Sequence, residues 1–389
     1  MIKKYLHAYN YPLLAAIILL SFFGVIMVYS SSMVVAVSLY QGSSDLFFKR
    51  QLISLFIGFA ALIVTMNIPY KIYKNGWVIF IILAGIFAFL FIVLLVGKVS
   101  NNAQSWLNIV ANRGLQPSEF SKLAIIIYLS VVFSKKQKTI NNFFKSFIGP
   151  IIVIVFTFIL VFLQPDLGTG LIILAISAVL IMCSGTSFKN IFGLISFTLL
   201  LLMILVPLAI QFGIITSEQI SRFRGAYQPF EYLKTDGYQL VNSYISIGMG
   251  GLNGLGLGES IQKYGYLPEP HTDFIMAIVS EELGIYGVSY VLILLLGIIV
   301  MGFRTAFKCK DAFGSLLSIG ISSLIAIQAI VNLGGLVGLL PLTGVPLPLV
   351  SYGGSSLLMF MLSLGILLNV SLKVKLDELK QSSTNTKIA

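Results

Sequence analysis

An all-α polytopic membrane protein is the fold class this sequence predicts, and three observations carry that expectation. Hydrophobic residues make up 57% of the 389 residues and charged ones 10%, against roughly 45–50% and 25% in soluble domains. Apolar runs of about 17–25 residues, the length that crosses a hydrocarbon core, recur along the whole chain. The basic residues fall between those runs. A mean hydropathy of +0.97 excludes a water-soluble globule and a disordered chain. Two cysteines, Cys183 and Cys309, are too few for a disulfide scaffold.

The first run, 12–35, follows Lys3 and Lys4 in the manner of a signal peptide, but the runs after it make it an uncleaved anchor. Runs at 52–68 and 77–96 come next. The fourth, 117–133, opens on Gln116-Pro117-Ser118-Glu119 and keeps an uninterrupted apolar core only over 123–133. The fifth and sixth are 147–163 and 167–183, the latter preceded by Gln164-Pro165-Asp166. The seventh, 191–212, is followed by a long polar segment, about 213–272. That segment carries a glycine run toward its end: Gly248, Gly250, Gly251, Gly254, Gly256 and Gly258. Runs at 273–303, 313–340 and 353–372 bring the number to ten. Residues 1–372 thus read as one membrane domain and 373–389 as a short tail, whose polar end, 381–389, is expected to be disordered.

Loop charges set the orientation. With the N-terminus in the cytoplasm, that side holds Lys3, Lys4, Lys71, Lys74, Lys135, Lys136, Lys138, Lys145, Lys189, Arg304, Lys308, Lys310, Lys373, Lys375, Lys380 and Lys387. These are 16 of the 25 basic residues, against three acids, Asp311, Asp377 and Glu378. Both termini are expected in the cytoplasm and the 213–272 segment outside. The net charge of +11 then reflects this bias and not nucleic-acid binding, for which basic and aromatic residues would interleave. Both cysteines fall on the cytoplasmic side, where thiols stay reduced.

In this topology every even-numbered span starts at the outer face, and the unusual polar residues gather at those starts. The fourth has Gln116, Glu119 and Lys122, the sixth Asp166, the eighth Glu269, His271 and Asp273, and the tenth Ser351, Tyr352 and Ser355. Proline is tolerated in a first helical turn. Helix starts also present unpaired N–H groups and the positive end of the dipole, so several converging on one cleft suit phosphate. Acidic residues in a first turn are also ordinary caps, and Glu119 with Lys122 is an i,i+3 pair.

Glu281 and Glu282 lie further along the eighth span, where a charge costs about 2.5–3.5 kcal/mol on insertion scales. Bundle-internal hydrogen bonding is one reason for them, a transport pathway another. The glycine run has no G-x-G-x-x-G and is not followed by Lys-Ser or Lys-Thr, which removes dinucleotide and P-loop readings. Its glycines suit tight turns and close backbone approach. No G-x-S-x-G is present, and two histidines, His7 and His271, exclude a His-rich metal site. Composition and spacing alone stop at a membrane enzyme or transporter with an outward polar cleft.

At these motifs the chain resembles the SEDS family (shape, elongation, division and sporulation), the FtsW/RodA/SpoVE group of bacterial cell-wall polymerases. The matching residues include Ser105-Trp106-Leu107, Leu115-Gln116-Pro117-Ser118-Glu119 with Lys122, Gln164-Pro165-Asp166-Leu167-Gly168-Thr169, and Gly237-Tyr238-Gln239-Leu240. They continue in Tyr266-Leu267-Pro268-Glu269-Pro270-His271-Thr272-Asp273, Glu281-Glu282-Leu283-Gly284, and the block from Asn332 through Gly344-Val345-Pro346-Leu347-Pro348 to Ser351-Tyr352-Gly353-Gly354-Ser355-Ser356. The opening Tyr11-Pro12-Leu13-Leu14 and Val28-Tyr29-Ser30-Ser31-Ser32 are nearer its cell-division branch. Ser105 stands where many members have Arg, so no role for a base is expected there.

The resemblance implies a ten-helix SEDS fold in the bacterial cytoplasmic membrane, acting at the division septum. It implies peptidoglycan glycosyltransferase activity on lipid II, a disaccharide-pentapeptide carried on a polyprenyl pyrophosphate. It implies a class B penicillin-binding protein and other division-complex membrane proteins as partners. Asp273 matches the family's essential aspartate and is the expected general base of an inverting reaction. Lys122, with Arg222 or Arg224 from the long segment, is expected to hold the pyrophosphate. Trp106, Gln116, Glu119, Asp166, His271, Glu281, Ser351, Tyr352 and Ser355 are the further candidate substrate-binding residues. A divalent cation, Mg2+ or Mn2+, on Asp273 or Asp166 is expected, and no organic cofactor. A lipid-linked precursor flippase and a non-catalytic division scaffold are the competing functions.

Overall fold

Apolar runs become helices, and polar side chains just ahead of them fix where several begin. The computed structural model describes residues 8–100, 103–110, 113–211, 217–235 and 237–385. In chain order the helices are α1 (Tyr11–Ser38), α2 (Leu46–Asn67), α3 (Gly76–Val96), α4 (Pro117–Lys135), α5 (Phe143–Phe162), α6 (Leu167–Met182) and α7 (Phe188–Gln211). There follow α8 (Ser217–Tyr227), α9 (Tyr238–Gly250), α10 (Ile275–Lys308), α11 (Ala312–Leu336) and α12 (Gly354–Asn385). Asn10 accepts a hydrogen bond from the Leu13 amide at 3.2 Å to start α1. Asn75 does the same for α3 from Trp77 at 3.0 Å, and Asp311 for α11 from Gly314 at 3.4 Å. Each cap supplies a partner for an otherwise unpaired first-turn N–H.

Leaving aside α8 and α9, the helices coincide with the ten expected runs. Among the described residues, eight are long and apolar enough to cross a membrane by length and composition; α6, with 16 residues, is shorter, and α7 has 24. At the two extremes hydropathy and burial are opposed. The most apolar span, α3 (mean hydropathy 3.4), is only 11% buried, whereas α4, the least apolar at 1.3, is 78% buried. A helix surrounded by protein can carry serines and charges that lipid would exclude. That is why the fourth run shows so short an apolar core. Helices α4, α11 and α12 form the centre, with α2 packed along α12 so closely that a Cβ at Gly365 would collide with Thr65.

Three features depart from the sequence reading. The all-α expectation omits a small antiparallel sheet between α3 and α4, with strands β1 (Lys98–Ser100), β2 (Ala103–Val110) and β3 (Arg113–Leu115) in that order. Lys98 pairs with Trp106, and Leu107 with Leu115. The long polar segment contains α8 and α9. The tail, expected to be disordered from residue 381, continues α12 to Asn385.

The 34-residue α10 breaks at Gly284, where φ is 58° and ψ −153°. The glycine run threads into that break. Leu255 and Gly256 donate their amides to the Glu281 and Glu282 carbonyls, each at 2.9 Å, and the Ile285 amide donates to the Leu252 carbonyl at 3.2 Å. A Cβ at Gly250 would collide with the Ser280 carbonyl, and one at Gly254 with that of Glu282. Close backbone approach is therefore what these glycines supply.

Candidate active site

The starts of α4, α6, α10 and α12 meet at one end of the bundle, and polar atoms from each hold the next. Asp166 caps α6 by accepting from the Thr169 amide at 3.1 Å, and its other oxygen accepts from Gln116 Nε2 and Ser118 Oγ, both at 3.0 Å. The Gln116 amide donates to Ser355 Oγ in the first turn of α12 at 3.0 Å. Ser351 Oγ donates to the Thr272 carbonyl at 2.6 Å and accepts from the Leu347 amide at 2.8 Å. The Tyr352 amide donates to the His271 carbonyl at 2.9 Å. Gln51, from α2, adds a bond from Nε2 to the Ser351 carbonyl at 3.2 Å.

Asp273 stands at the centre of this junction, half-buried, in the turn that precedes α10. Asn332 Nδ2 donates to its carbonyl at 2.9 Å and to that of Val345 at 2.9 Å. Gly344, at a φ of +73° that side chains rarely adopt, lies against the carboxylate: a Cβ there would stand 3.6 Å from Oδ2. Beside it, Glu119 and Lys122 pair at 2.8 Å with 2% and 0% of their surface exposed. Lys122 Nζ also donates to Gln328 Oε1 at 2.8 Å.

His271 is 4% exposed and packs against the rings of Phe47 and Tyr352 at centroid separations of 4.5 and 5.6 Å, and those two rings touch each other at 5.1 Å. Burial pushes its imidazole pKa down to about 4, against the opposing pull of Glu269, so the ring is neutral at pH 7. Glu269 is itself held by Thr272, whose hydroxyl donates to Oε2 at 3.1 Å.

The junction thus gathers Gln116, Glu119, Lys122, Asp166, His271, Asp273, Ser351, Tyr352 and Ser355. Trp106, Arg224 and Glu281 take no part in the bonds given above. Trp106 covers Gly114 of β3, where a Cβ would meet the indole ring at 2.6 Å. Arg224 is exposed on α8, and the side chain of Arg222 lies outside the described residues. Glu281 is fully buried, and both its oxygens are taken: Ser246 and Ser260 donate at 2.8 and 2.6 Å, and the Ile261 and Gln262 amides at 2.8 and 3.2 Å. With four donors already satisfied, it holds loop to helix and has no oxygen to offer a substrate.

Asp166, bonded by three donors, likewise suits a cap better than a metal ligand. Among the described residues no group of three or more His, Cys, Asp or Glu could hold a metal ion. A cation at Asp273 would need substrate phosphates as its remaining ligands.

Sequence reasoning missed Gln51, Gln328 and Lys263. Gln328 carried a signal: with Asn332 it places two amides four residues apart on an apolar helix, hence on one face. Lys263, in a glycine-rich loop, reads as a solvated charge and gave none.

Residues 11–376 match the FtsW/RodA/SpoVE family, described as cell cycle proteins. The chain belongs to the FtsW/RodA/SpoVE family. Among its relatives is a probable peptidoglycan glycosyltransferase FtsW of Bacillus subtilis (strain 168), 47% identical over 388 residues and covering 98% of this chain and 95% of the relative. Stage V sporulation protein E of the same organism is 38% identical over 362 residues, covering 91% and 94%.

Two solved structures share the fold of this FtsW/RodA/SpoVE protein. One, from work on the structural coordination of polymerization and crosslinking by a peptidoglycan synthase complex, superposes with a TM-score of 0.74 at 22% identity, covering 94% of this chain and 98% of that one. The rod shape determining protein RodA of Thermus thermophilus gives 0.66 at 22%, covering 93% and 96%.

Proposed function

We infer that this membrane protein is a peptidoglycan glycosyltransferase that polymerises lipid II into β1,4-linked glycan strands, with Asp273 as its general base. The activity named for its FtsW relatives, probable peptidoglycan glycosyltransferases, supports the reaction class. The observation that carries the site is the place of Asp273: a half-buried carboxylate where four helix starts converge. Such a convergence suits a pyrophosphate-bearing substrate, because each start brings unpaired N–H groups and the positive end of a dipole.

Asp273 takes the proton of the acceptor sugar's 4-hydroxyl as that oxygen bonds to the donor's anomeric carbon. The bond from that carbon to the pyrophosphate oxygen breaks on the opposite side, the electron pair leaves with the phosphate, and the configuration inverts. Pyrophosphate is a good leaving group, so the second carboxyl that glycoside hydrolases use to protonate theirs is not required. Base assistance of this kind contributes about 10²–10⁴-fold.

Arg224 and Arg222, on α8, are the side chains assigned to the leaving pyrophosphate. Lys122 gives two of its three ammonium hydrogens to Glu119 and Gln328 and acts from behind. A divalent cation, Mg2+ or Mn2+, held by Asp273 and the phosphates, would neutralise the charge that develops on the leaving group. Asp273 lies outside the cell in this reading, with both termini in the cytoplasm, and the protein works at the septum. A class B penicillin-binding protein is the partner that adds crosslinking, in line with the synthase complex its structural neighbour belongs to.

A flippase needs polar groups exposed along its path through the bilayer. Glu281 and Glu282, the charges further along α10, are instead consumed by internal bonds. Purified wild-type protein incubated with lipid II, with and without the partner, and analysed by glycan length tests the assignment. Long products are expected, and lipid II left intact in both incubations would refute it.

A further inference from the structure

Gln328 and Asn332 stand one helical turn apart on α11, and each grips a carbonyl of the strap formed by residues 343–348. Gln328 Nε2 donates to Pro346 at 2.9 Å, and Asn332 Nδ2 donates to Val345 at 2.9 Å. Both side chains are buried. Chemistry fixes the orientation of the Gln328 amide: the Lys122 ammonium can only donate to it and the Pro346 carbonyl can only accept from it. The same nitrogen of Asn332 that holds Val345 also holds the carbonyl of Asp273 at 2.9 Å.

The strap they hold touches the reacting carboxylate. Gly344 lies against Asp273 Oδ2, and behind it Gly168 of α6 is so close that a Cβ there would stand 2.7 Å from the Thr343 carbonyl. No Cβ fits at Gly168, and at Gly344 the positive φ disfavours one while Asp273 Oδ2 is already at contact distance, so a displaced strap shifts against α6 and the Asp273 carboxylate.

We propose that Gln328 and Asn332 are positioning residues for glycosyl transfer: from one face of α11 they hold the 343–348 strap and the Asp273 backbone in register, and Gln328 ties that register to the Glu119–Lys122 ion pair. The proposal rests on the reading of Asp273 as the base. Neither side chain touches substrate in it. Misplacing a reacting group by about 1 Å costs on the order of 10²-fold, and a loss of this kind falls on kcat rather than KM.

Gln328→Glu is a probe of matching size, since it keeps an oxygen for Lys122 but has no hydrogen for Pro346. Asn332→Leu removes both bonds from the second residue without adding a charge. The test takes the full-length protein in detergent, measures kcat and KM on lipid II, and follows backbone hydrogen exchange over 343–348, which needs no substrate. The expected result in each variant is a fall in kcat of about ten- to a hundredfold, KM within about twofold, and faster exchange in the strap. Should Gln328→Glu fail to fold, Gln328→Met, which gives up both bonds, carries the same expectation. Wild-type kcat, or a loss of activity with strap exchange unchanged, overturns the proposal. A wild-type protein that makes no glycan would sink the glycosyltransferase reading instead, and strap exchange would still decide whether the two amides hold the strap.

Discussion

Lys263 and Glu282 form an ion pair of 2.9 Å in which neither side chain has any exposed surface. Ser30 of α1 completes it, donating to both carboxylate oxygens at 2.6 and 2.7 Å. The next residue back, Glu281, accepts from the Ser246 and Ser260 hydroxyls and from the Ile261 and Gln262 amides. Two adjacent carboxylates therefore clamp one loop against α10, and the chain that leaves this clamp reaches Asp273 ten residues after Lys263.

Removing one member of a buried pair strands the other charge, at a cost of about 3–5 kcal/mol. Lys263→Met is expected to lower the thermal midpoint of the purified protein accordingly. Combining it with Glu282→Gln, which still accepts from Ser30, should restore most of the loss. A double variant no more stable than Lys263→Met would show that the charge itself is not what is being balanced.

The break in α10 sets a second expectation. Gly254 has a φ of +76°, and a Cβ there would enter the Glu282 carbonyl, whereas a Cβ at Gly248 meets nothing within 4 Å. Gly254→Ala should cost on the order of 3 kcal/mol or more. Gly248→Ala, inside α9, should be neutral or slightly stabilising. Equal yields and melting temperatures for the two variants would contradict the account of the glycine run as a backbone insert.

His271 makes stability depend on pH. Its folded pKa of about 4 lies below the reference value of 6.5, so unfolding takes up a proton between those values. The stabilisation is complete above about 6.5, declines as pH falls, and is gone below about 4, a swing on the order of 3 kcal/mol. The thermal midpoint should therefore drop between pH 7.5 and pH 5. His271→Phe, which keeps an aromatic ring packed on Phe47 and Tyr352, should flatten that drop. An unchanged drop in the variant would place its origin elsewhere.

Much of this arrangement was legible in the sequence because the bilayer constrains it. Long apolar runs located the ten spans, and the run around Glu119 and Lys122 looked weak for a reason the structure supplies: α4 faces protein on nearly every side. The prolines and polar residues around Gln116, Asp166, Asp273 and Ser351 marked the helix starts that meet. What could not be read was which polar atom reaches which. Glu281 and Asp273 are both acids of the same span, yet one is saturated by four donors and the other stands at the junction. Only the path of the loop between Gly250 and Asp273 separates them. The strands over 98–115 were missed because two of the three are only three residues long, too short for alternation to register.

The decisive measurement is the turnover of purified Asp273→Asn protein on lipid II beside wild type, with thermal midpoints recorded for both. The substitution keeps the shape of the side chain and removes its basicity. Wild type should build long glycan strands, and the variant should fall by about 10²–10⁴-fold in kcat while melting at the same temperature. Polymerisation by Asp273→Asn at the wild-type rate would mean that this carboxylate is not the base and that the junction of helix starts serves some other purpose.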